Sequence, residues 1–218
     1  MARTLTVVQT ETRRRSYLQG VKLPAALLGF LLAAALITGC GGGKTAQAEP
    51  TQQFKGARVT TPKVVPDFTL HDARGEAVSL SQQRGKLVLI TFIYTHCPDV
   101  CPLITSNLND ALSQLGSERK DVRVLAVSVD PKGDTPKAVK AYEKLHHLLP
   151  EFRYLIGSSA ELKSVWAKYN VTAVEEDPEL VDHVAYTLLV DQSGKGRVLY
   201  DSHVKSAQVV HDVRLLLS

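Results

Sequence analysis

The stretch Tyr94-Thr95-His96-Cys97-Pro98-Asp99-Val100-Cys101-Pro102 sets two cysteines four residues apart, directly after the apolar run Leu87 to Tyr94. The chain holds three cysteines in 218 residues, and the third, Cys40, falls in what reads as a processing signal. Cys97 and Cys101 are then the two thiols left to the mature domain. In a domain of this size that argues for metal or redox chemistry more than for a structural staple. A buried strand followed by a helix is where open α/β sheets place their reactive groups. Unpaired N–H groups and partial positive charge at a helix start favour thiolate over thiol, so the pKa should fall below its usual ~8.5. Thiolate is the form that binds metal and attacks disulfides. Four-residue spacing on a helix would put both sulfurs on one face. Such a pair can pinch one soft ion and leave a position open for a third residue. Thiolates select copper(I), zinc or iron–sulfur clusters, and an added imidazole admits copper(II). Two cysteines alone do not suit a cluster or a closed structural zinc site, which take four protein ligands.

Seven histidines compete for the third position. His146 and His147 sit late in an amphipathic helix, where solvated cations are expected, and His71 and His211 read as surface residues. His203 follows a hairpin and is ambiguous. His96 adjoins Cys97, but at a strand end its side chain should point away from that sulfur. His183, in Val181-Asp182-His183, precedes the strand Ala185 to Val190 and follows the acidic loop Glu175 to Glu179.

The elements around these residues are legible in outline. Val65 to Leu70 and Ala77 to Leu80 are short apolar–polar segments flanking the turn-like His71 to Gly75. Leu87 to Tyr94 and Val122 to Val129 read as strands covered on both faces. Pro102 to Leu115 has helical spacing, with Gly116 as a stop. Asp134-Thr135-Pro136 opens a helix to about Leu148, with a polar cap and proline in the first turn. Tyr154 to Gly157 is a short strand, and Ser158 or Ser159 caps a helix through Trp166 to Tyr169. Ala185 to Val190 and Arg197 to Tyr200 form a hairpin around Asp191 to Gly194, and Ala207 to Leu217 closes the chain as a helix. The alternation predicts an α/β layer fold with a mixed central sheet flanked by helices.

The first 39 residues are set apart as a targeting segment. Arg13, Arg14, Arg15 and Lys22 precede the apolar Leu23 to Ile37, 15 residues long, where a membrane span needs ~20. Ile37-Thr38-Gly39-Cys40 resembles the lipobox of bacterial lipoproteins, whose cysteine is lipidated and becomes residue one. Each buried acyl methylene contributes ~0.8 kcal/mol, so two or three chains hold a protein at a membrane durably. Residues 40–62 read as a flexible tether, and 63–218 as one domain large enough to bury a real core. Residues 1–39 hold five basic and one acidic side chain, so the +4 formal charge of the whole chain lies in the leader and the remainder balances at 21 of each sign. Nothing in that balance points to nucleic acid.

Four segments in order resemble the Sco/SenC family: Tyr94 to Pro102, Ser128-Val129-Asp130-Pro131 with Asp134-Thr135-Pro136, Ala167-Lys168-Tyr169, and Asp182-His183 before the penultimate strand. The likeness runs from about Val65 to Ser218. It implies a thioredoxin-like fold and a copper-binding factor for assembly of the dinuclear copper centre of cytochrome c oxidase. Carried over residue by residue, it implies Cys97 and Cys101 as thiolate ligands that can also form a redox disulfide, His183 as the imidazole ligand, and Asp182 as its acidic neighbour. Val184 stands where the family often has serine or threonine, so no hydroxyl is available there.

The expected protein is a metallochaperone, not an enzyme. It carries one copper(I) or copper(II) per chain, anchored through Cys40 with its domain on the extracytoplasmic, periplasmic side. Its expected partners are the copper-receiving oxidase subunit and other periplasmic copper chaperones. The alternative is a thiol–disulfide reductase, with Cys97 attacking and Cys101 resolving. Thioredoxin-like reductases carry a proline at the start of the strand facing the cysteines, and here Asp182-His183-Val184 takes that place. Peroxide reduction fits less well, because Tyr94 and Ile90 replace the threonine and proline that lead into a peroxiredoxin cysteine. A structural surface disulfide would close too short a loop to add much stability.

Overall fold

The computed structural model describes residues 53–171 and 185–218. Strand β1 spans Ala57–Arg58, β2 Thr69–Asp72, β3 Ala77–Ser79, β4 Leu87–Ile93, β5 Val122–Ser128, β6 Phe152–Ile156, β7 Thr187–Val190 and β8 Gly196–Tyr200. Helix α1 spans Val100–Leu115, α2 Pro136–Leu145, α3 Ser159–Tyr169 and α4 Ser206–Leu217. The eight strands form one sheet in the order β1-β8-β7-β4-β5-β6-β2-β3. At its centre β4, β5 and β6 run parallel, while β7 pairs antiparallel with β4 and β2 antiparallel with β6. This is the α/β architecture with a mixed sheet that the alternation of elements predicts, and it agrees with the thioredoxin-like fold that the Sco/SenC resemblance implies.

Every residue of β4 is buried, because helices cover both faces of the sheet. Period-two alternation sends Leu87, Leu89 and Ile93 into a cluster with Ile104, Leu108 and Leu112 of α1 and Val209 and Val213 of α4. Val88, Ile90 and Phe92 face the other way, onto Leu162, Val165, Trp166 and Tyr169 of α3. Local chemistry sets the helix starts. The Thr135 side chain accepts from Ala138 N–H with proline in the first turn of α2, and Ser158 with Glu161 forms a reciprocal cap on α3. The turn between β2 and β3 uses Gly75 at φ +85°, a conformation glycine takes without steric cost.

Three expectations change. Strand β2 begins at Thr69, later than the apolar pattern from Val65. Helix α2 stops at Leu145, and His147 takes φ 49° just beyond it. The reading of 40–62 as tether stops short of its full length: Phe54 to Arg58 are tied into the fold. Ala57 and Arg58 pair with Leu199 and Val198 of β8, and the Lys55 and Gly56 amides donate to the Asp212 carboxylate at 2.7 and 2.9 Å. Asp212 is fully buried and also accepts from Tyr200 Oη at 2.9 Å. The partners of this segment lie 140 or more residues away, so no local pattern marks it.

Candidate metal centre

Strand β4 ends at Ile93 and α1 begins at Val100, so Cys97 lies in the crossing between them and Cys101 in the first turn of the helix. The expectation of two sulfurs on one helical face is corrected accordingly. Only Cys101 is helical, and Cys97 approaches from outside. Both cysteines are free thiols, buried at 7% and 1% exposure.

The sulfurs face each other through the start of α1. Asp99, at the capping position, makes no side-chain capping bond. The Cys101 N–H, one of the donors a helix start leaves without an internal partner, instead donates to Cys97 Sγ at 3.4 Å. The Cys101 thiol also donates to Cys97. That bond, more than burial opposes it, lowers the Cys97 pKa to about 6, with help from the Asp99 and Cys101 amides and the Tyr94 side chain. The same contact, with burial and the negative charges of Cys97 and Asp134, pushes the Cys101 thiol far up. One sulfur is therefore poised as a thiolate and the other held as a proton donor to it. One turn beyond Cys101, the Thr105 hydroxyl and Tyr142 Oη share a buried hydrogen bond of 2.8 Å.

The crossing is braced from the side by Asp134, 3% exposed. Its carboxylate accepts from the Thr95 N–H at 2.8 Å and the Thr95 hydroxyl at 2.7 Å. It also accepts from the Ser128 hydroxyl at 2.6 Å and Tyr154 Oη at 2.8 Å. In the sequence Asp134 reads as part of a helix start, and its bracing role is not visible there. A second capping residue, Thr135, directly beside it was the available signal.

His96 is exposed, with Nδ1 3.1 Å from the Thr95 hydroxyl. His71, His147 and His203 are also exposed, and His146 packs at a tilt against Tyr142 with ring centroids 4.2 Å apart. His211 pairs with Asp212 at 2.8 Å. Asp182, His183 and Val184 lie outside the described residues, as do Cys40 and the leader. Strand β7 begins at Thr187, opposite Thr91 and antiparallel to it, so the chain enters β7 at the end of the sheet where β4 delivers the cysteines.

A mixed sheet with a cysteine pair at a strand-to-helix crossing defines a thioredoxin-like thiol domain. The chain belongs to the SCO1/SenC family, whose model matches residues 56–218. The SCO1 protein homolog of Bacillus subtilis is 31% identical over 161 residues, covering 67% of this chain and 83% of that protein. The bovine mitochondrial SCO2 homolog is 30% identical over 213 residues, covering 94% of this chain and 79% of that protein. Apo Sco1 from Thermus thermophilus, solved in solution, is 34% identical with a TM-score of 0.64, covering 77% of this chain and 99% of that one. Bradyrhizobium japonicum ScoI, solved with copper bound, is 27% identical with a TM-score of 0.58, covering 71% and 99%. BsSco, a member of the Sco family of cytochrome c oxidase assembly proteins in which a disulfide switch was identified, is 29% identical with a TM-score of 0.60, covering 72% and 96%.

Proposed function

We propose that this chain is a copper carrier serving assembly of cytochrome c oxidase, with Cys97, Cys101 and His183 as the ligands of its cargo. The observation that carries the reading is the pair of free, buried cysteines at the end of β4, in a family with a copper-bound member of the same fold. A low-pKa thiolate at Cys97 offers a soft donor without a prior proton loss, and copper displaces the remaining proton from Cys101. Two thiolates hold copper(I). A third, imidazole donor extends the set to copper(II). His183 precedes Ala185 by two residues in the chain, and Asp182 beside it is its loop-positioning acidic neighbour.

In this reading residues 1–39 are a lipoprotein signal and Cys40 carries the lipid. The domain works on the extracytoplasmic side of the membrane and hands copper to the oxidase subunit that receives it, or takes it from another periplasmic chaperone. Among the described residues no helix is long and apolar enough to cross a membrane. The cysteines cycle between dithiol and disulfide, and oxidation removes both thiolates at once, which ties copper loading to redox state.

A second reading, thiol–disulfide reduction of the receiving protein's own cysteines, is favoured by one observation. The Cys101 N–H donates to Cys97 Sγ at 3.4 Å at the start of α1, which favours Cys97 as an attacking thiolate with Cys101 as its resolving partner. Competition of the reduced protein against a copper(I) chelator separates the two when run beside an insulin-reduction assay. A carrier takes up one copper per chain, loses it in the Cys97→Ser/Cys101→Ser double variant, and reduces insulin poorly. Wild-type copper stoichiometry in the double variant would sink the ligand assignment. Rapid insulin turnover with no copper uptake would replace the carrier by the reductase.

A further inference from the structure

His96, Asp130 and Asp134 place one ligand atom each within 4.8 Å of one another, beside Cys97 yet apart from the sulfur pair. Their hydrogen bonds show what the group does. The four donors to Asp134 come from Thr95 twice, Ser128 and Tyr154, and they fill the lone-pair sites of both carboxylate oxygens. No lone pair is left there for a cation. The Thr95 hydroxyl spends its single hydrogen on Asp134, so its 3.1 Å contact with His96 Nδ1 requires Nδ1–H as the donor. Asp130 Oδ1 is likewise taken up by the amides of Lys132 and Gly133. Asp134, the buried member of the cluster, is the acceptor of a hydrogen-bonded brace.

What the brace holds is specific. Thr95 lies in the β4–α1 crossing, two residues before Cys97. Ser128 ends β5 and Tyr154 sits within β6. One buried carboxylate therefore ties the neighbouring parallel strands β5 and β6 together and fastens to them the crossing that leaves β4. Between Thr95 and α1, the backbone–backbone tie of the crossing is Cys97 N–H to Tyr94 O at a long 3.4 Å. The position of Cys97 Sγ relative to Cys101, which the rigid helix carries, thus depends on where Thr95 is held.

We propose that Asp134 is a positioning residue for the cysteine pair: through Thr95 it fixes the backbone that carries Cys97, so the two sulfurs stand ready for each other, and for a metal, before any metal arrives. The metal half of this rests on the copper reading above, and the thiol half does not. Holding two reacting groups in place raises their effective concentration, so loosening the brace should weaken disulfide formation in the metal-free protein.

The test uses the full chain with Thr95→Val, Thr95→Ser and Asp134→Asn, equilibrated with glutathione. Cys97 and Cys101 form one S–S bond, the S–S bond of oxidised glutathione breaks, and the two thiol protons pass to the two glutathione thiols. Loss of one hydrogen bond to a charged acceptor should lower this equilibrium constant about tenfold in Thr95→Val. Thr95→Ser, which keeps the hydroxyl, should restore it. Imidazole nitrogen shifts should show His96 protonated at Nδ1 in wild type and Thr95→Ser, and no longer so in Thr95→Val. Copper(I) affinity should fall about tenfold in Thr95→Val with stoichiometry unchanged. If Asp134→Asn does not fold, Thr95→Val, which leaves the carboxylate three of its four donors, carries the comparison. A folded Thr95→Val protein with the wild-type glutathione equilibrium overturns the proposal. Wild type that binds no copper would defeat the copper reading, while the glutathione comparison still decides the role of Asp134.

Discussion

The backbone N–H of Cys101 points at the sulfur of Cys97 from 3.4 Å, so that sulfur stands where a capping oxygen would stand at the start of α1. The helix supplies the donor and its partial positive charge, and the preceding loop supplies the thiolate. This relationship makes the two cysteines chemically unequal although their surroundings are shared.

That inequality predicts selective alkylation. Because the Cys97 pKa is lowered to about 6 and that of Cys101 is raised, the metal-free reduced protein should react with iodoacetamide at Cys97 alone. The rate should climb as pH rises through about 6 and level off well below the usual thiol range near 8.5. Peptide mass mapping after brief labelling reads the site. Equal labelling of both cysteines, with a midpoint near 8.5, would remove the thiolate assignment.

Replacing His183 should affect the two copper states unequally. His183→Ala should weaken copper(II) binding by at least roughly the 10–100-fold that losing a metal site's outer partner costs. Copper(I) should change little, because two thiolates still hold the softer ion. Competition titrations in each oxidation state measure this, and unchanged copper(II) affinity would take His183 out of the ligand set and turn attention to His96 and His203.

Much of the site could be read before any coordinates, and the parts that could not share a physical cause. The buried run ending at Tyr94, the paired cysteines and the caps at Thr135 and Ser158 are local signals, written within a few residues of where they act. Cys97 as a surrogate cap was hidden because helical spacing alone cannot say whether the first turn starts before or after a given residue. Asp134 was read by its neighbours Thr135 and Pro136, whereas its bonds run to Thr95, 39 residues earlier. Strand β1 was read as tether because a two-residue strand has no periodicity of its own, and β8 and Asp212 define it from the far end of the chain.

The clasp on β1 is itself testable. Asp212→Ala removes an acceptor shared by the Lys55 and Gly56 amides, Tyr200 Oη and His211 Nδ1. Leaving buried donors without a partner should cost about 2–4 kcal/mol of folding stability. In urea denaturation the midpoint should fall accordingly. Native-state hydrogen exchange should show the amides of Lys55 and Gly56 losing protection first, with β4 and β5 protected as before. Retained protection at Gly56 would mean that pairing with β8 alone holds the strand.

Membrane attachment depends on one residue in this account. Cys40→Ser should leave the protein unprocessed or release it from the membrane fraction, and an inhibitor of lipoprotein processing should act on wild type in the same way. A variant that is cleaved normally and still sediments fully with membranes would refute lipidation at Cys40.

The central claim is that copper sits between Cys97 and Cys101, and X-ray absorption at the copper edge addresses it most directly. Reduced protein loaded with one equivalent of copper(I) should show two sulfur scatterers in the first shell, one of them lost in Cys97→Ser and one in Cys101→Ser. A first shell of nitrogen and oxygen only, unchanged in both variants, would place the metal elsewhere and contradict the account.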